Sequence, residues 1–338
     1  MSVLTGKQFN EKYRGKTFIK LTNQLENHHG FQFQTGWNID KVAVTSKLSS
    51  YPPCGIYFCQ LEHMFKWLSY GDNLMYYIRS VTLPDNAKVE EYDKHWRADR
   101  IILGERLKIV DLEIWDNKKI CSEAIKENVC ALRFVKDQTI EICLEAIKQN
   151  SYAIQYVKDQ TERICSEAIK KNPYIIEYVR NQTAELCMEA VKNEGLSLKY
   201  VENKTPEICL AAVSHDGRAL EYVKDQTHEI CLAAVKENYS ALKYVKDQTE
   251  EMCLIAVKQE GYALLDVKNQ TPEICLEAIK QNRYAVRCIR NPTDASALEK
   301  IIEKRDIQAA LEEILYPRNK KSVYPNLKLS VEDDCLRS

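Results

Sequence analysis

The sequence lacks an excess of charge, a long apolar run and a secretory leader. Its 48 lysines and arginines against 49 acidic residues give a formal net charge of −1, so the total favours neither nucleic acid nor an anionic membrane as partner. No apolar run approaches the roughly 18 residues needed to span a bilayer. The first residues, MSVLTGKQFNEKYRGK, contain no apolar core of the kind that secretory signals have. These absences predict a protein of a reducing, cytosol-like compartment, without membrane contact.

The sequence also lacks any Cys-x-x-Cys pair, although it contains 13 cysteines. An odd number of cysteines in a reducing compartment indicates thiols rather than a disulfide framework. Metal-binding cysteines usually come in close pairs or near histidines, so no metal site and no cofactor is predicted. A set of them instead recurs at a constant step of 22 residues: Cys121, Cys143, Cys165, Cys187, Cys209, Cys231, Cys253 and Cys275. A fixed period of this length is typical of a stacked repeat array.

Each copy of the repeat begins like a helix. The N-cap position holds Asn117 in the first copy and threonine afterwards, at Thr139, Thr161, Thr183, Thr205, Thr227, Thr249 and Thr271. In the second copy, Ile142, Cys143, Ala146 and Ile147 fall on one stripe at helical spacing. The repeated cysteine is therefore predicted to pack on the buried face as a small apolar residue, without a chemical role.

The end of this first helix is predicted from asparagine or glycine. Some copies have asparagine there, at Asn128, Asn150, Asn172, Asn238 and Asn282, and others have an acidic residue followed by Gly195, Gly217 or Gly261. Both residue types readily adopt the left-handed conformation that closes a helix. A second apolar segment and a Lys-Asp-Gln linker follow, so each copy is predicted to be a helix of about 11 residues, a turn and a helix of 7 or 8.

A hairpin of this size cannot bury its own apolar face and must stack on its neighbours. The predicted fold is mainly α: a right-stacked α-solenoid of eight to nine 22-residue helical hairpins, preceded by a small α+β N-terminal domain. The predicted domains are residues 1–112 (α+β), residues 113–316 (the repeat solenoid, with a degenerate ninth copy at 293–315) and a flexible C-terminal tail, 317–338. In the first domain, strands are predicted near residues 17–21, 54–59, 75–83 and 100–103, with a short helix at 62–68.

A protein partner is predicted for the array. A lysine recurs before the linker, but an aspartate follows it in most copies, so a nucleic acid is a weaker alternative. Residues that vary on a regular scaffold are the positions at which solenoids adapt to a protein partner. The candidate partner-binding residues are Pro173, Leu196, Arg218, His228, Tyr239 and Arg283.

Two stretches of the N-terminal domain, His28-His29-Gly30-Phe31 and Cys54-Gly-Ile-Tyr-Phe-Cys59, loosely resemble the nicotinamide-binding signature of ADP-ribosyltransferases. In the diphtheria-toxin-like and poly-ADP-ribose polymerase branch, the histidine holds the ribose and the tyrosine stacks on nicotinamide. The resemblance makes His29 and Tyr57 the catalytic candidates. No serine or threonine follows His-Gly and no glutamate obviously completes the set, so a degenerate, non-catalytic relative is a further alternative.

The whole chain resembles an uncharacterised repeat-protein family of amoeba-infecting giant DNA viruses such as mimivirus. The segments NHHGFQFQTGWNID, CGIYFCQLEHMFKWLSYGDNL, VTLPDNAKV and KHWRADRIILGER carry the resemblance, together with the repeat EICLEAIKQNSYAIQYVKDQT. In that family such an N-terminal block precedes ankyrin or other helical repeats. The resemblance implies a mosaic protein acting in the host cell cytoplasm or viral factory, and supplies no activity.

The function predicted first is a non-enzymatic interaction scaffold or adaptor, whose solenoid binds a host or viral protein. One alternative is an ADP-ribosyltransferase-like N-terminal domain, either active or degenerate, that the repeats direct to its target. The other is an RNA- or translation-associated scaffold.

Overall fold

A computed structural model describes residues 3–28, 31–40, 55–70 and 73–290. The chain divides into two compact units, unit 1 (Met1–Lys171) and unit 2 (Asn172–Ser338). Unit 1 contains the described strands and the helices up to Lys171. The domain boundaries expected at 112/113 and 316/317 stay predictions. The degenerate copy at 293–315 and the tail at 317–338 lie outside the described residues.

The N-terminal part of unit 1 is built on an antiparallel sheet, as the β-rich segments predicted. Its strands are β1 (Val3–Thr5), β2 (Phe18–Thr22), β3 (Asn27–His28), β4 (Phe31–Gln32), β5 (Gly36–Ile39), β6 (Ile56–Gln60), β7 (Ser69–Tyr70), β8 (Asn73–Leu74), β9 (Tyr77–Thr82), β10 (Lys88–Glu91), β11 (Trp96–Ala98), β12 (Arg100–Leu103) and β13 (Leu107–Lys108). Within the described residues the large sheet has the order β1-β10-β11-β6-β2-β9-β12-β5, and β13 also pairs with β9. The pairs β3-β4 and β7-β8 form two small ribbons. The short helix expected at 62–68 is a 3₁₀ helix, Leu61–Trp67.

An aromatic core holds helix α1 (Gly6–Lys12) against this sheet. Thr5 and Gln8 form a capping box that fixes the start of α1. The Phe9 ring of α1 lies 4.8 Å from Phe18 and 6.0 Å from Trp96, measured between ring centres. Full burial of each such ring contributes about 2–3 kcal/mol to folding. The core of this region therefore lies under α1, at the middle of the sheet.

The repeat supplies one ten-residue α-helix per copy from residue 118 onward. These helices are α2 (Lys118–Glu127), α3 (Ile140–Gln149), α4 (Glu162–Lys171), α5 (Ala184–Asn193), α6 (Pro206–His215), α7 (His228–Glu237), α8 (Glu250–Gln259) and α9 (Pro272–Gln281). The predicted caps are confirmed at Asn117 and at Thr139, Thr183, Thr205, Thr227, Thr249 and Thr271, whose side chains accept backbone N–H bonds of the first turn.

The second segment of each copy is a six-residue 3₁₀ helix, which corrects the prediction of 7 or 8 helical residues. The segments are Val129–Phe134, Ser151–Tyr156, Pro173–Tyr178, Gly195–Tyr200, Gly217–Tyr222, Tyr239–Tyr244, Gly261–Asp266 and Arg283–Cys288. The residue after each 3₁₀ helix is extended, and its N–H donates to the carbonyl oxygen three residues earlier, as the Val157 N–H does to the Ile154 carbonyl oxygen. Because a 3₁₀ helix rises more per residue than an α-helix, its six residues span about 12 Å, whereas six residues of an α-helix span about 9 Å.

The predicted left-handed closure of the first helix is wrong. Asn150 is extended, with φ −146° and ψ 116°, and its side chain accepts the N–H of Tyr152, so it caps the 3₁₀ helix that follows. Asp216 and Glu260 accept the equivalent bond in copies that lack asparagine. Among the described glycines, positive φ occurs only at Gly15, Gly36 and Gly55. In these copies the polar side chain acts as an acceptor, which explains why asparagine and acidic residues share this position.

The repeat glycines are explained by close approach of the next helix. A Cβ added at Gly217 would lie 2.3 Å from the carbonyl oxygen of Ala234 in α7, and one at Gly195 would lie 2.4 Å from that of Ala212 in α6. The Gly195 N–H also donates to His215 Nδ1 at 3.1 Å, in the last turn of α6. Glycine therefore allows the next helix to come close enough for its side chain to satisfy this backbone donor.

Candidate functional site

The repeated cysteines lie on the buried stripe, as predicted, with 1–4% of each residue exposed. Burial raises the pKa of the Cys143 thiol to about 11, and also raises the pKa values of Cys187 and Cys231. A thiol that stays protonated at neutral pH is a poor nucleophile and a poor metal ligand. The geometry therefore gives these cysteines a packing role.

A glutamine that precedes the N-cap threonine joins consecutive copies. The Gln248 amide donates to the carbonyl oxygens of Leu242 in its own copy (3.0 Å) and Asp266 in the next (2.8 Å). Its Oε1 accepts the N–H of Lys268 at 2.8 Å and contacts the thiol of Cys253 at 3.8 Å. One side chain thus satisfies backbone groups of two copies.

The same bridge recurs along both units, where equivalent bonds are made by Gln138, Gln182, Gln226 and Gln270. We name these side chains and Gln248 the glutamine bridges. From the sequence, this glutamine was expected only as part of a linker. The signal for its role is an amide that recurs at nearly every junction while the charged residues before it vary.

The recurring lysines of the linker also contact the backbone of the preceding copy. Lys158 Nζ donates to the carbonyl oxygens of Val135 (2.8 Å) and Lys136 (3.1 Å). Lys268 Nζ repeats this pattern on Val245 at 3.0 Å. Because these ammonium groups cap carbonyl oxygens, the lysine series has a structural use besides any contact with phosphate.

One junction in unit 2 lacks the glutamine. Lys204 stands in its place, and its Nζ donates to the Val201 carbonyl oxygen within its own copy, at 2.5 Å. The cap of the preceding 3₁₀ helix is also changed, since Glu194 makes no side-chain capping bond. The polar bridge between the copies on either side of Lys204 is therefore weaker than at the glutamine bridges.

The candidate partner-binding residues lie near opposite ends of the α-helices of the repeat. His228 is the first residue of α7, 3.9 Å from the Glu251 carboxylate. Pro173, Tyr239 and Arg283 begin 3₁₀ helices, and Leu196 and Arg218 are second residues. Because a ten-residue helix is about 15 Å long, His228 does not lie with the others. Pro173 and Leu196 are half-buried, whereas Arg218, His228, Tyr239 and Arg283 are exposed. Their role in binding stays a prediction.

Tyr57 is the catalytic candidate that lies within the described residues, and it packs against other groups of the sheet region. The Arg97 guanidinium lies 5.8 Å from the Tyr57 ring centre, and Nη1 donates to its hydroxyl at 3.4 Å. Arg97 is buried and forms an ion pair with Glu90 at 2.5 Å. The His95 ring lies 6.0 Å from Tyr57. The arrangement gives Tyr57 a part in holding a buried ion pair. His29 lies outside the described residues.

A second buried polar cluster, which was not predicted from the sequence, is formed by residues of β2 and β9 and by Glu26 in the turn after β2. Arg79 donates to both carboxylate oxygens of Glu26, at 2.9 and 3.2 Å. Lys20, directly opposite Arg79 in the sheet, is 6% exposed, with Nζ 4.9 Å from the Phe33 ring centre. Burial lowers the pKa of Lys20 to about 8. A lone lysine within a strand gave no sequence signal of this environment.

Among the described residues, no group of three or more histidine, cysteine or acidic side chains is arranged to hold a metal ion. Within the same residues, no helix has the length and apolar character that crossing a membrane requires.

Comparison with known proteins identifies relatives from one virus. Residues 117–162, 139–182, 184–226 and 205–249 match a family described as Domain of unknown function (DUF4116). The chain is 33% identical over 101 residues to Uncharacterized protein R869 of Acanthamoeba polyphaga mimivirus, a match covering 30% of this chain and 73% of that protein. The chain belongs to a repeat-protein family of amoebal giant DNA viruses. The resemblance seen in the sequence is thereby confirmed.

Two further relatives from the same virus carry a different repeat name. Putative ankyrin repeat protein R868 is 32% identical over 112 residues, covering 31% of this chain and 54% of that protein. Putative ankyrin repeat protein R229 is 32% identical over 130 residues, covering 34% of this chain and 40% of that protein. The chain thus matches about half of the length of these family members, both from the same virus. No solved structure matches.

Proposed function

We propose that this protein is a non-enzymatic interaction scaffold or adaptor, whose repeats stack as an α-solenoid and bind a host or viral protein. The observation that carries the proposal is the division of each copy into a constant and a variable part. The buried cysteines recur in every described copy and the glutamine at all junctions but that of Lys204, whereas exposed positions such as those of Arg218 and Tyr239 change from copy to copy. A fixed scaffold with a variable surface is the design by which repeat proteins acquire a binding partner.

The relatives support the same proposal, since two of those above are named putative ankyrin repeat proteins. Arrays of stacked helical repeats present extended surfaces that suit protein partners. As the relatives come from a virus of Acanthamoeba, we place the action of this protein in the host cytoplasm or viral factory, and take its partner to be a host or viral protein.

The sheet region is proposed to cap the first repeat. Within unit 1, the Trp115 ring stacks on Phe134 of the first copy at 5.3 Å between centres and lies 5.8 Å from Phe65. Asn128 donates to the Ser69 hydroxyl at 3.3 Å. Terminal repeats need such a cover because their apolar face has no neighbouring copy.

The proposal is tested by affinity capture with the full chain, tagged and incubated with extract of Acanthamoeba cells with and without ribonuclease. We expect a protein to be retained in stoichiometric amount in both samples, identified by mass spectrometry. Retention that disappears with ribonuclease would instead favour the RNA scaffold. If the folded chain retains nothing above the level of a tag-only control, the proposal is wrong.

A further inference from the structure

One position of the repeat changes character within unit 2. Six residues after the N-cap, most copies carry glutamate: Glu123, Glu145, Glu167, Glu189 and Glu277. The three copies that contain α6, α7 and α8 carry Ala211, Ala233 and Ile255 there. The acidic residue is therefore lost in consecutive copies, and apolar residues replace it.

Unit 1 shows what this glutamate contacts in an ordinary copy. Glu145 accepts a hydrogen bond from the Ser122 hydroxyl at 2.8 Å and lies 3.4 Å from Lys126 Nζ. Ser122 is the fifth residue after its N-cap, so the fifth position of one helix lies beside the sixth position of the next. Both positions are outside the buried stripe, on the surface of the helix layer.

The same register gives unit 2 an apolar surface. Consecutive helices from α5 to α9 pack against one another, and Leu210, Leu232 and Leu254 occupy the fifth position. By the register above, Leu210 lies beside Ala233 and Leu232 beside Ile255. All of these side chains are half-buried. We name Leu210, Ala211, Leu232, Ala233, Leu254 and Ile255 the apolar stripe.

Packing between copies alone does not account for the stripe. The copies with glutamate at the sixth position stack with the same buried residues and the same ten-residue helix. Alanine also fills less space than the glutamate it replaces, so it leaves the neighbouring leucine less covered. A contiguous apolar patch on an outer face, rimmed by polar residues, is a common mark of a protein interaction site.

Charged residues of opposite sign border the stripe. Glu207, Glu229 and Glu251 are exposed in the first turn of α6, α7 and α8, and Lys236 and Lys258 are exposed in the last turn of α7 and α8. In α7, Glu229 and Lys236 are seven residues apart, which is close to two helical turns, so their side chains point to the same side of the helix. Glu251 and Lys258 have the same separation in α8. A partner on the stripe therefore meets carboxylates along one edge and ammonium groups along the other.

We infer that α6–α8 bind an amphipathic α-helix of the partner protein, laid across the three helices with its apolar face on the stripe. Packed helices are about 8–10 Å apart, and an α-helix advances about 10.5 Å in seven residues. A partner helix thus presents one apolar residue per copy from the same face. An extended strand would need about three residues to advance by one copy. Because successive side chains of a strand point to opposite faces, its side chains would point toward the stripe at one copy and away from it at the next.

The borders set the orientation of this helix. Its basic flank faces Glu207, Glu229 and Glu251, and its acidic flank faces Lys236 and Lys258. This inference rests on the proposed scaffold function and names the surface and the partner class for it.

The test uses the full chain with Ala211→Glu and Ala233→Glu together, which restores the residue that other copies carry. The matched control is Leu265→Glu, which adds a charge at a 56% exposed leucine of a 3₁₀ helix. Circular dichroism and thermal unfolding establish that both variants are folded. We expect retention of the partner from Acanthamoeba extract to fall more than about tenfold in the double variant, because unpaired charge in an apolar interface is costly, and to be unchanged in the control.

A photo-crosslinking residue at position 232 in the otherwise unchanged chain identifies what lies on the stripe. A crosslinked partner segment with a heptad of apolar residues and basic and acidic flanks supports the inference. If the partner is retained equally by all variants, or if the crosslink joins two copies of this chain, the inference is wrong while the scaffold function stands. If the unchanged chain retains no partner, the scaffold function itself fails.

Discussion

The recurring glutamine of the repeat contacts both a backbone group and the recurring cysteine. Gln226 accepts the Lys246 N–H at 2.9 Å and lies 3.6 Å from the thiol of Cys231. Alanine at the cysteine position would fill part of the same space, but it could not donate to the amide oxygen. The glutamine at the end of one copy and the cysteine of the next copy therefore form a polar contact at the edge of the buried stripe.

Replacing a glutamine bridge is expected to destabilise the array. Gln248→Leu removes hydrogen bonds to Leu242, Asp266 and Lys268. We expect the free energy of unfolding to fall by about 2–3 kcal/mol, since each net hydrogen bond contributes about 0.5–1.5 kcal/mol. Urea unfolding followed by circular dichroism measures the change.

The junction at which Lys204 replaces the glutamine allows the reverse test, in which a bridge is added rather than removed. Lys204→Gln introduces the bridge at the junction that lacks it, and is expected to raise the free energy of unfolding by about 1 kcal/mol. A loss of stability in this variant would show that the backbone there cannot accept the amide.

The buried Lys20 predicts a pH-dependent stability. Its pKa of about 8 lies below the ordinary value of about 10.4 for an exposed lysine. Between these pH values the folded chain releases a proton that the unfolded chain keeps, so stability rises with pH. Lys20→Met is therefore expected to be more stable than the natural chain at pH 7, by an amount that shrinks as pH approaches 10.

Urea unfolding of the natural chain and of Lys20→Met at pH 7, 8, 9 and 10 measures this difference in the free energy of unfolding. The titration of groups that both chains share cancels in the difference. Lys16→Met, which removes an exposed ammonium group, is the matched control. A stability difference for Lys20→Met that is constant across these pH values would contradict the burial of its charge.

At the level of elements, each described copy pairs a ten-residue α-helix with a six-residue 3₁₀ helix, and glycine at the join between them lies close to the α-helix of the next copy. Where this join holds glycine, as at Gly217 and Gly261, the missing Cβ brings a carbonyl oxygen of the next α-helix close. In other copies the same position carries a side chain, such as Ser151 or Tyr239. The residue at this join therefore differs in what it places against the next copy.

Gly217→Ala is expected to destabilise unit 2. The new Cβ would lie 2.3 Å from the Ala234 carbonyl oxygen and 3.0 Å from the Glu237 carboxylate. Overpacking of this kind costs about 1–3 kcal/mol. Thermal unfolding measures it, with Ser151→Ala as control, because that copy already accommodates a Cβ. Equal midpoints for the two variants would show that the neighbouring helix shifts freely.

At the level of the whole molecule, an array stabilised by contacts between neighbouring copies tolerates loss of a complete copy. Deleting residues 183–204 joins Gln182 to Thr205, so that a glutamine takes the place of Lys204. We expect this chain to remain folded, with one cooperative unfolding transition and proportionately less helical circular dichroism.

Deleting residues 183–193 alone removes the α-helix but keeps its 3₁₀ helix, and is expected to leave unit 2 partly unfolded. An unfolded chain after the complete deletion, or equal tolerance of both deletions, would contradict stabilisation by copies in register.

The sequence by itself determined the period, the N-caps, the buried cysteine stripe, the sheet region and the family. These features follow from local rules: a threonine that satisfies the first N–H groups, and apolar spacing that matches one helix face. The tertiary structure alone decided the 3₁₀ geometry, the capping role of Asn150, the close approach at Gly217 and the bridge made by Gln248. Each of these depends on a group in the next copy or on the backbone path between helices, about 20 residues away along the chain. Spacing within one copy carries no information about such contacts, because the partner group is positioned only when the copies pack together.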